Sequence, residues 1–270
     1  NRQNEIDRLF AKMYEDRALL HREGFYGVEL NLPDLDLIKP EELKSLLNEY
    51  QMKMNMLATG VYAKTHGLSL SSGIPEERMR AVNGCKRNID YAASMGCGII
   101  IGFLKGGPGS DREVSERLFL ESMLELKPYI EEKKVQVLIE ATNHKEASII
   151  RTLKEGAHVI NFLDCPFIQL LADTYHMNIE EPSLVDSLSE YMNYYPHLHI
   201  SDDNRAYPGL GSLDFTAIYR KLMECGYKGT VAVEGNIQHG LLEDTQICAA
   251  YLHKMCSGLH TPSRVPSHAV

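Results

Sequence analysis

The chain has 270 residues and carries 28 Lys and Arg against 37 Asp and Glu, a formal charge of −9. That balance argues against a nucleic-acid face, which needs clustered basic residues, and no run approaches the roughly 18 apolar residues of a membrane span. Six cysteines (Cys85, Cys97, Cys165, Cys225, Cys248, Cys256) fall at irregular spacings with no CxxC pair, the pattern of free thiols in a reducing cytosol, so a cytoplasmic protein is expected.

Helical and extended patterns alternate from end to end. A first helix over 4–22 precedes the run FYGVELNL at 25–32, and the helix PEELKSLLNEYQ precedes a strand at 53–63. A helix at 76–95 leads to CGIIIGFL at 97–104, and the charged helix 111–132 leads to VQVLIEA at 135–141. A helix at 146–155 and a loop lead to FIQLLAD at 167–173. A helix at 183–193 leads to HLHIS at 197–201, a helix starting near Asp214 to TVAVEG at 230–235, and a last helix covers 241–255.

These strands are continuous apolar runs, as a parallel sheet covered on both faces requires. Regular βα repetition at this length is met by a doubly wound sheet or a barrel, and the expectation is an α/β fold of the (β/α)8 TIM-barrel kind. Seven strands are counted where a barrel needs eight, and the chain opens on a helix. The first strand is therefore expected upstream of Asn1 or absent from the chain. No linker or composition break divides residues 1–270, which reads as one domain with a surface tail over 257–270.

Polar residues gather where the later apolar runs stop. One strand ends on Glu140, the next on Asp173, the next carries His197 and, at its end, His199, and the last ends on Glu234. The separations are one βα unit each, so in a barrel the four strand-end side chains meet at one mouth. A charge at the end of a buried strand costs several kcal/mol unless it is paired or liganded, and three carboxylates in one pocket repel one another. A divalent cation removes that penalty. Three oxygen donors and one imidazole, without a thiolate, suit Mn²⁺, Mg²⁺ or Co²⁺, with Zn²⁺ also able to bind.

His176 stands one turn beyond Asp173 and is expected to point over the pocket toward a substrate. Arg205, in the loop after His199, is placed to hold a substrate hydroxyl or carbonyl oxygen. Glu29 ends its own strand, where it either orients a neighbouring ligand or pairs with a basic residue. The Gly-rich segments KGGPGS (105–110) and PGLGS (208–212) lack the Gly-Lys-Ser/Thr ending of a phosphate-binding loop and read as turns lining the mouth. Met52, Met54 and Met56 alternate as core strand residues do. No GxSxG is present, and no Cys sits beside a His at a strand end.

The segments IEATNHKE, ADTYHMNIEE, HLHISDDNRAYPGLGSLDF and VAVEG resemble the xylose isomerase-like barrel superfamily, and within it the ketose 3-epimerases of the tagatose/psicose type. The resemblance implies that Glu140, Asp173, His199 and Glu234 ligate one divalent metal, Mn²⁺ first, and that Glu140 and Glu234 are also the acid/base pair. It implies substrate contacts for His176, Arg205 and Glu146, and it does not make His197 a ligand. Relatives have Pro and Arg where this chain has Ala141 and His144. The expected reaction is epimerisation or isomerisation of a small-molecule ketose through a cis-enediolate, by proton transfer between two Glu residues, in a homo-oligomer (dimer or tetramer).

Three alternatives share parts of this pattern. Dehydratases and hydroxypyruvate- or inosose-type isomerases use the same four ligands. An apurinic-site endonuclease would need further histidines, which LKGGPG and the segment after His199 do not offer. A non-catalytic metal-stabilised barrel would not require both Glu140 and Glu234.

Overall fold

The protein's structure, a computed structural model, describes residues 19–259. Seven parallel strands form one sheet in chain order: β1 (Gly27–Asn31), β2 (Lys53–Ala58), β3 (Gly98–Ile101), β4 (Val137–Glu140), β5 (Ile168–Asp173), β6 (His197–Ile200) and β7 (Thr230–Val233). Helices cover its outer face: α1 (Pro40–Asn48), α2 (Gly60–His66), α3 (Pro75–Met95), α4 (Arg112–Lys133), α5 (Leu153–Leu163), α6 (Thr174–Glu180), α7 (Leu184–Glu190), α8 (Phe215–Glu224) and α9 (Leu241–Leu259). The expected TIM-barrel architecture is thus present as a nearly closed barrel. Of the helix expected at 4–22, all but its last turn lies outside the described residues.

Among the described residues β7 does not pair with β1, and the seam between them holds a cavity of about 380 Å³. Val28 and Leu30 of β1 face Val231 and Val233 of β7 across it, and Glu29 and Glu234 also line it. All four residues of β7 are only partly buried, whereas all four of β3 and of β4 are buried.

Three boundaries differ from those the sequence suggests. The strand expected over 53–63 stops at Ala58: the Thr59 N–H donates to Ile100 O, and Val61 N–H is capped by Asn31 Oδ1 at 2.7 Å, which starts α2. Gly67, at φ +59°, ends that helix in the left-handed conformation glycine tolerates. The helix expected at 146–155 starts instead at Leu153, because Thr152 caps it by accepting from Glu155 N–H at 3.2 Å. The preceding segment is held as a turn by Lys145 N–H donating to Asn143 Oδ1. The last helix, α9, runs to Leu259, into the stretch expected as a tail from 257; residues 260–270 lie outside the described residues.

Strand alternation sorts the sheet residues into two cores. Ile99, Ile101, Val137, Ile139, Leu170, Ala172, Leu198 and Ile200 face the helices. Met56, Ile100, Leu138 and Leu171 fill the barrel interior, with Ala58 packed against them. Two residues further along the same strands the interior layer turns polar: Leu138 is followed by Glu140, Leu171 by Asp173 and His197 by His199. Register makes Asp173 and His199 direct cross-strand partners. No described helix is long and apolar enough to cross a membrane.

The interior layer is small and walled by rigid strands, so it closes poorly over a cavity. Leu171→Ala, at a fully buried position, is expected to cost about 2–5 kcal/mol, read as a lower urea midpoint with an unchanged denaturant slope.

Candidate metal centre

The polar layer brings Glu140, Asp173, His199 and Glu234 together, with one donor atom from each lying within 4.8 Å of all the others. His199 Nδ1 is 3.0 Å from Glu234 Oε2, 3.8 Å from Asp173 Oδ2 and 3.9 Å from Glu140 Oε1. Asp173 and His199 are all but fully buried, and Glu140 is 8% exposed. The Glu234 side chain keeps 42% exposure, because β7 borders the open seam.

Asp173 divides its two oxygens between fold and site. Oδ1 caps α6, accepting from the N–H groups of Tyr175 (2.8 Å) and His176 (3.2 Å). Oδ2 faces the pocket and accepts from Arg205 at 2.6 Å. This cap turns the chain straight from strand to helix and carries His176 over the mouth. There His176 Nδ1 accepts from the backbone N–H of Asn143 at 3.2 Å, which leaves the proton on Nε2. Nε2 lies 3.8 Å from Glu140 Oε1, and burial pushes the imidazole pKa down, so His176 presents a neutral N–H donor to the pocket.

Arg205 spans the site. Its second nitrogen donates to Glu234 Oε2 at 2.5 Å, the first also reaches Ser201 Oγ at 3.1 Å, and its guanidinium lies 4.9 Å over the Tyr175 ring. The residue has φ +62°, a left-handed geometry that must be enforced. The enforcing group is Asp202, buried, whose carboxylate accepts from the N–H groups of Gly209, Gly211 and Leu213. The expected Gly-rich mouth loop is the segment tied down in this way.

The carboxylates sit in opposed electrostatic settings. Burial, with the Glu234 and Asp173 charges added, pushes Glu140 up to about 8. Burial also works against ionised Glu234, but His199 and Arg205 outweigh it and hold that carboxyl at about 2. His199 is raised above its ordinary value, since Glu234 and Glu29 overcome the effect of its burial. Glu140 Oε1 is buried and has no hydrogen-bond partner. A bare carboxylate oxygen facing two further carboxylates and an imidazole nitrogen is the environment a divalent cation completes, so the four residues fit a metal ion.

Glu146 is exposed on the turn after Asn143 and makes no direct contact with the four; its charge is felt at His176 and Lys105. Lys105 was not singled out in the sequence, where it appears as the first residue of a glycine-rich turn. It is fully buried, and its Nζ donates to Thr142 Oγ1 at 2.6 Å. Burial lowers its pKa to about 8 against the opposing pull of Glu140 and Glu146. The available signal was a lysine directly continuing an apolar run. Gly102 is a second omission. A Cβ there would overlap Glu140 Oε2, so the end of β3 must carry no side chain if β4 is to aim its carboxylate inward.

A family model described as xylose isomerase-like TIM barrel matches residues 18–250. Among characterised proteins, the D-psicose 3-epimerase of Enterocloster bolteae is 27% identical over 224 residues, which is 80% of this chain and 74% of the relative. The 3-dehydro-D-guloside 4-epimerase of Escherichia coli is 37% identical over 102 residues, 38% of this chain and 39% of that one. A crystal structure of D-allulose 3-epimerase from Methylomonas in complex with D-allulose superposes with a TM-score of 0.80 at 21% identity, covering 91% of this chain and 92% of that chain.

Two outcomes follow from the geometry. Between its ordinary value of 4.5 and about 8, Glu140 holds a proton in the folded chain that it lacks when unfolded. Its contribution to stability therefore falls as pH rises through that window. Metal-free protein is expected to lose thermal stability between pH 5 and 8 more steeply than Glu140→Gln, measured by calorimetry in chelator. Gly102→Ala is expected to weaken Mn²⁺ binding roughly tenfold or more by displacing Glu140, with an unchanged far-UV circular dichroism spectrum.

Proposed function

The chain belongs to the xylose isomerase-like TIM barrel family, and on that premise we propose that it is a divalent-metal-dependent isomerase that inverts a carbon next to the keto group of a sugar. The observation that carries the proposal is geometric: Glu140 and Glu234 enter one centre from different strands, each with a carboxylate oxygen within 4.8 Å of the donor atoms of Asp173 and His199, one buried and the other beside the open seam. Two carboxyl groups in unlike surroundings on one centre can serve as an acid and a base.

Glu140, Asp173, His199 and Glu234 would hold the ion, Mn²⁺ being well suited to the donor set. Bound there, a divalent cation would offset most of the charge of the three carboxylates and would acidify the C–H beside a substrate carbonyl. The protein's own part is proton handling. Glu234 takes the proton from the carbon next to the keto group, and the electron pair left behind moves toward the carbonyl oxygen to give a cis-enediolate. Glu140 then returns a proton to the same carbon from the opposite face. His176 Nε2–H and the Arg205 N–H groups supply donors to the oxygens where charge develops. Running the reaction in reverse exchanges the two roles.

A second reading, epimerisation of C4 in a 3-keto glycoside, is supported by the 37% identical segment shared with the guloside 4-epimerase. The chemistry is unchanged: the keto group stands at C3 instead of C2, and the reacting carbon is again the next one along the sugar.

Chelator-treated protein incubated in deuterated water with free ketoses and a 3-keto glucoside, with and without Mn²⁺, tests both. Metal-dependent deuterium at C3 of a ketose is expected in the recovered sugar. It should fall by roughly 100-fold or more in Glu140→Gln and in Glu234→Gln, the scale of losing a general acid or base. Exchange confined to C4 of the keto glycoside selects the second reading, exchange at C1 or C2 an aldose–ketose isomerase, and no exchange on any sugar overturns the proposal.

A further inference from the structure

Besides the four proposed ligands, a second cluster of metal-competent side chains occurs among the described residues, formed by Glu29, His197 and His199. Glu29 comes from β1, 170 residues from His199 in sequence, and faces the barrel interior beside Met56 of β2. Val28 pairs with Met54 but Glu29 pairs with Met56, leaving Asn55 as the extra residue of a bulge. The bulge turns Met56 inward where Met54 faces the helices, and the Asn55 amide donates to the Glu29 carboxylate at 3.1 Å.

Glu29 Oε2 lies 2.7 Å from His199 Nε2, and Oε1 lies 2.6 Å from His197 Nε2. The far nitrogen of His197, Nδ1, is 2.6 Å from Thr230 Oγ1. Those separations decide what the cluster is. Two donors on one ion, with metal–ligand bonds of about 2.1 Å, stand roughly 3 Å or more apart. The 2.7 Å contact of Glu29 Oε2 with His199 Nε2 is a direct hydrogen bond, whereas His197 Nε2, though close to Glu29, is buried without a hydrogen-bond partner.

We propose that Glu29 is a positioning residue of the metal centre: by accepting the Nε2 proton of His199 it leaves Nδ1 as the free donor atom, turned toward Glu140, Asp173 and Glu234. The inference rests on the metal reading of those four residues. A carboxylate on the outer nitrogen of a ligating imidazole sets its tautomer, fixes its rotation and raises its basicity. His199 is gripped at both ends, by Glu29 on one side and the site carboxylates on the other. Without Glu29 the ring keeps its burial but loses what distinguishes its two nitrogens.

The test is Mn²⁺ titration calorimetry of chelator-treated wild type, Glu29→Ala, Glu29→Gln and Thr230→Val, with ¹⁵N spectra of the histidine rings in the Mg²⁺-loaded proteins. Glu29→Ala is expected to bind Mn²⁺ roughly 10–100-fold more weakly and to lose the Nε2–H signature of His199. Glu29→Gln, which keeps the shape but not the charge, should fall between it and wild type and carries the test if the alanine variant does not fold. Thr230→Val should bind as wild type does. Wild-type affinity in both Glu29 variants, or an equal loss in Thr230→Val, overturns the role of Glu29 while leaving the metal centre intact. Wild type that takes up no Mn²⁺ overturns the metal reading and this inference together.

Discussion

Three carboxylates and too few compensating charges share the mouth of this barrel, and the surrounding structure is organised to make that tolerable. Like charges a few ångströms apart in a poorly hydrated site raise one another's proton affinity, and Glu140 carries that burden. Arg205 bridges Asp173 and Glu234, and His199 lies among all three. The loop carrying Arg205 is held by Asp202, whose carboxylate collects four backbone N–H groups, with Arg205 itself in a conformation an arginine seldom adopts. The loop is thus part of the electrostatics rather than a connector laid over it.

Beneath the charges lies an apolar layer, and the two are related by the strand period of two. Leu138 and Leu171 are as buried as any residue in the protein, and Glu140 and Asp173 come two positions later on the same strands. Any slip in register would exchange these carboxylates for residues that now face the helices. Burial of the lower layer therefore specifies where the upper layer points. Among the described strands the register shifts at Asn55 of β2, whose amide donates to Glu29 in the same interior.

Much of the site was legible because its signal is one-dimensional. Glu140, Asp173, His199 and Glu234 each interrupt an apolar run at intervals of one βα unit, and parallel strands convert that interval into proximity. What escaped depends on contacts that leave no periodic trace. Lys105 looks like a solvated lysine at the head of a glycine-rich turn, yet it is fully buried with its Nζ on Thr142 of the next strand's loop. The helix at 60–66 was read as strand because VYA has strand-forming residues, and the cap that overrides them, Asn31, lies on another strand. The start of α5 was placed too early because the helix-forming Lys145–Ser148 precedes a Thr152 cap that local propensity does not reveal. The role of Glu29 stayed open between two readings until the distance to His199 Nε2 was known.

Gly102 shows that part of a reactive centre can be recorded as missing matter. It has no side chain to bind, ionise or donate, yet the space it leaves is the outline of an oxygen on the neighbouring strand. Two chains could therefore share all the polar residues of this mouth and still differ in whether the centre can assemble, according to a hydrogen or a methyl group at one silent position. Lineages that tinker with such a barrel are free to exchange the visible chemistry only so long as the vacancy beside it is inherited too.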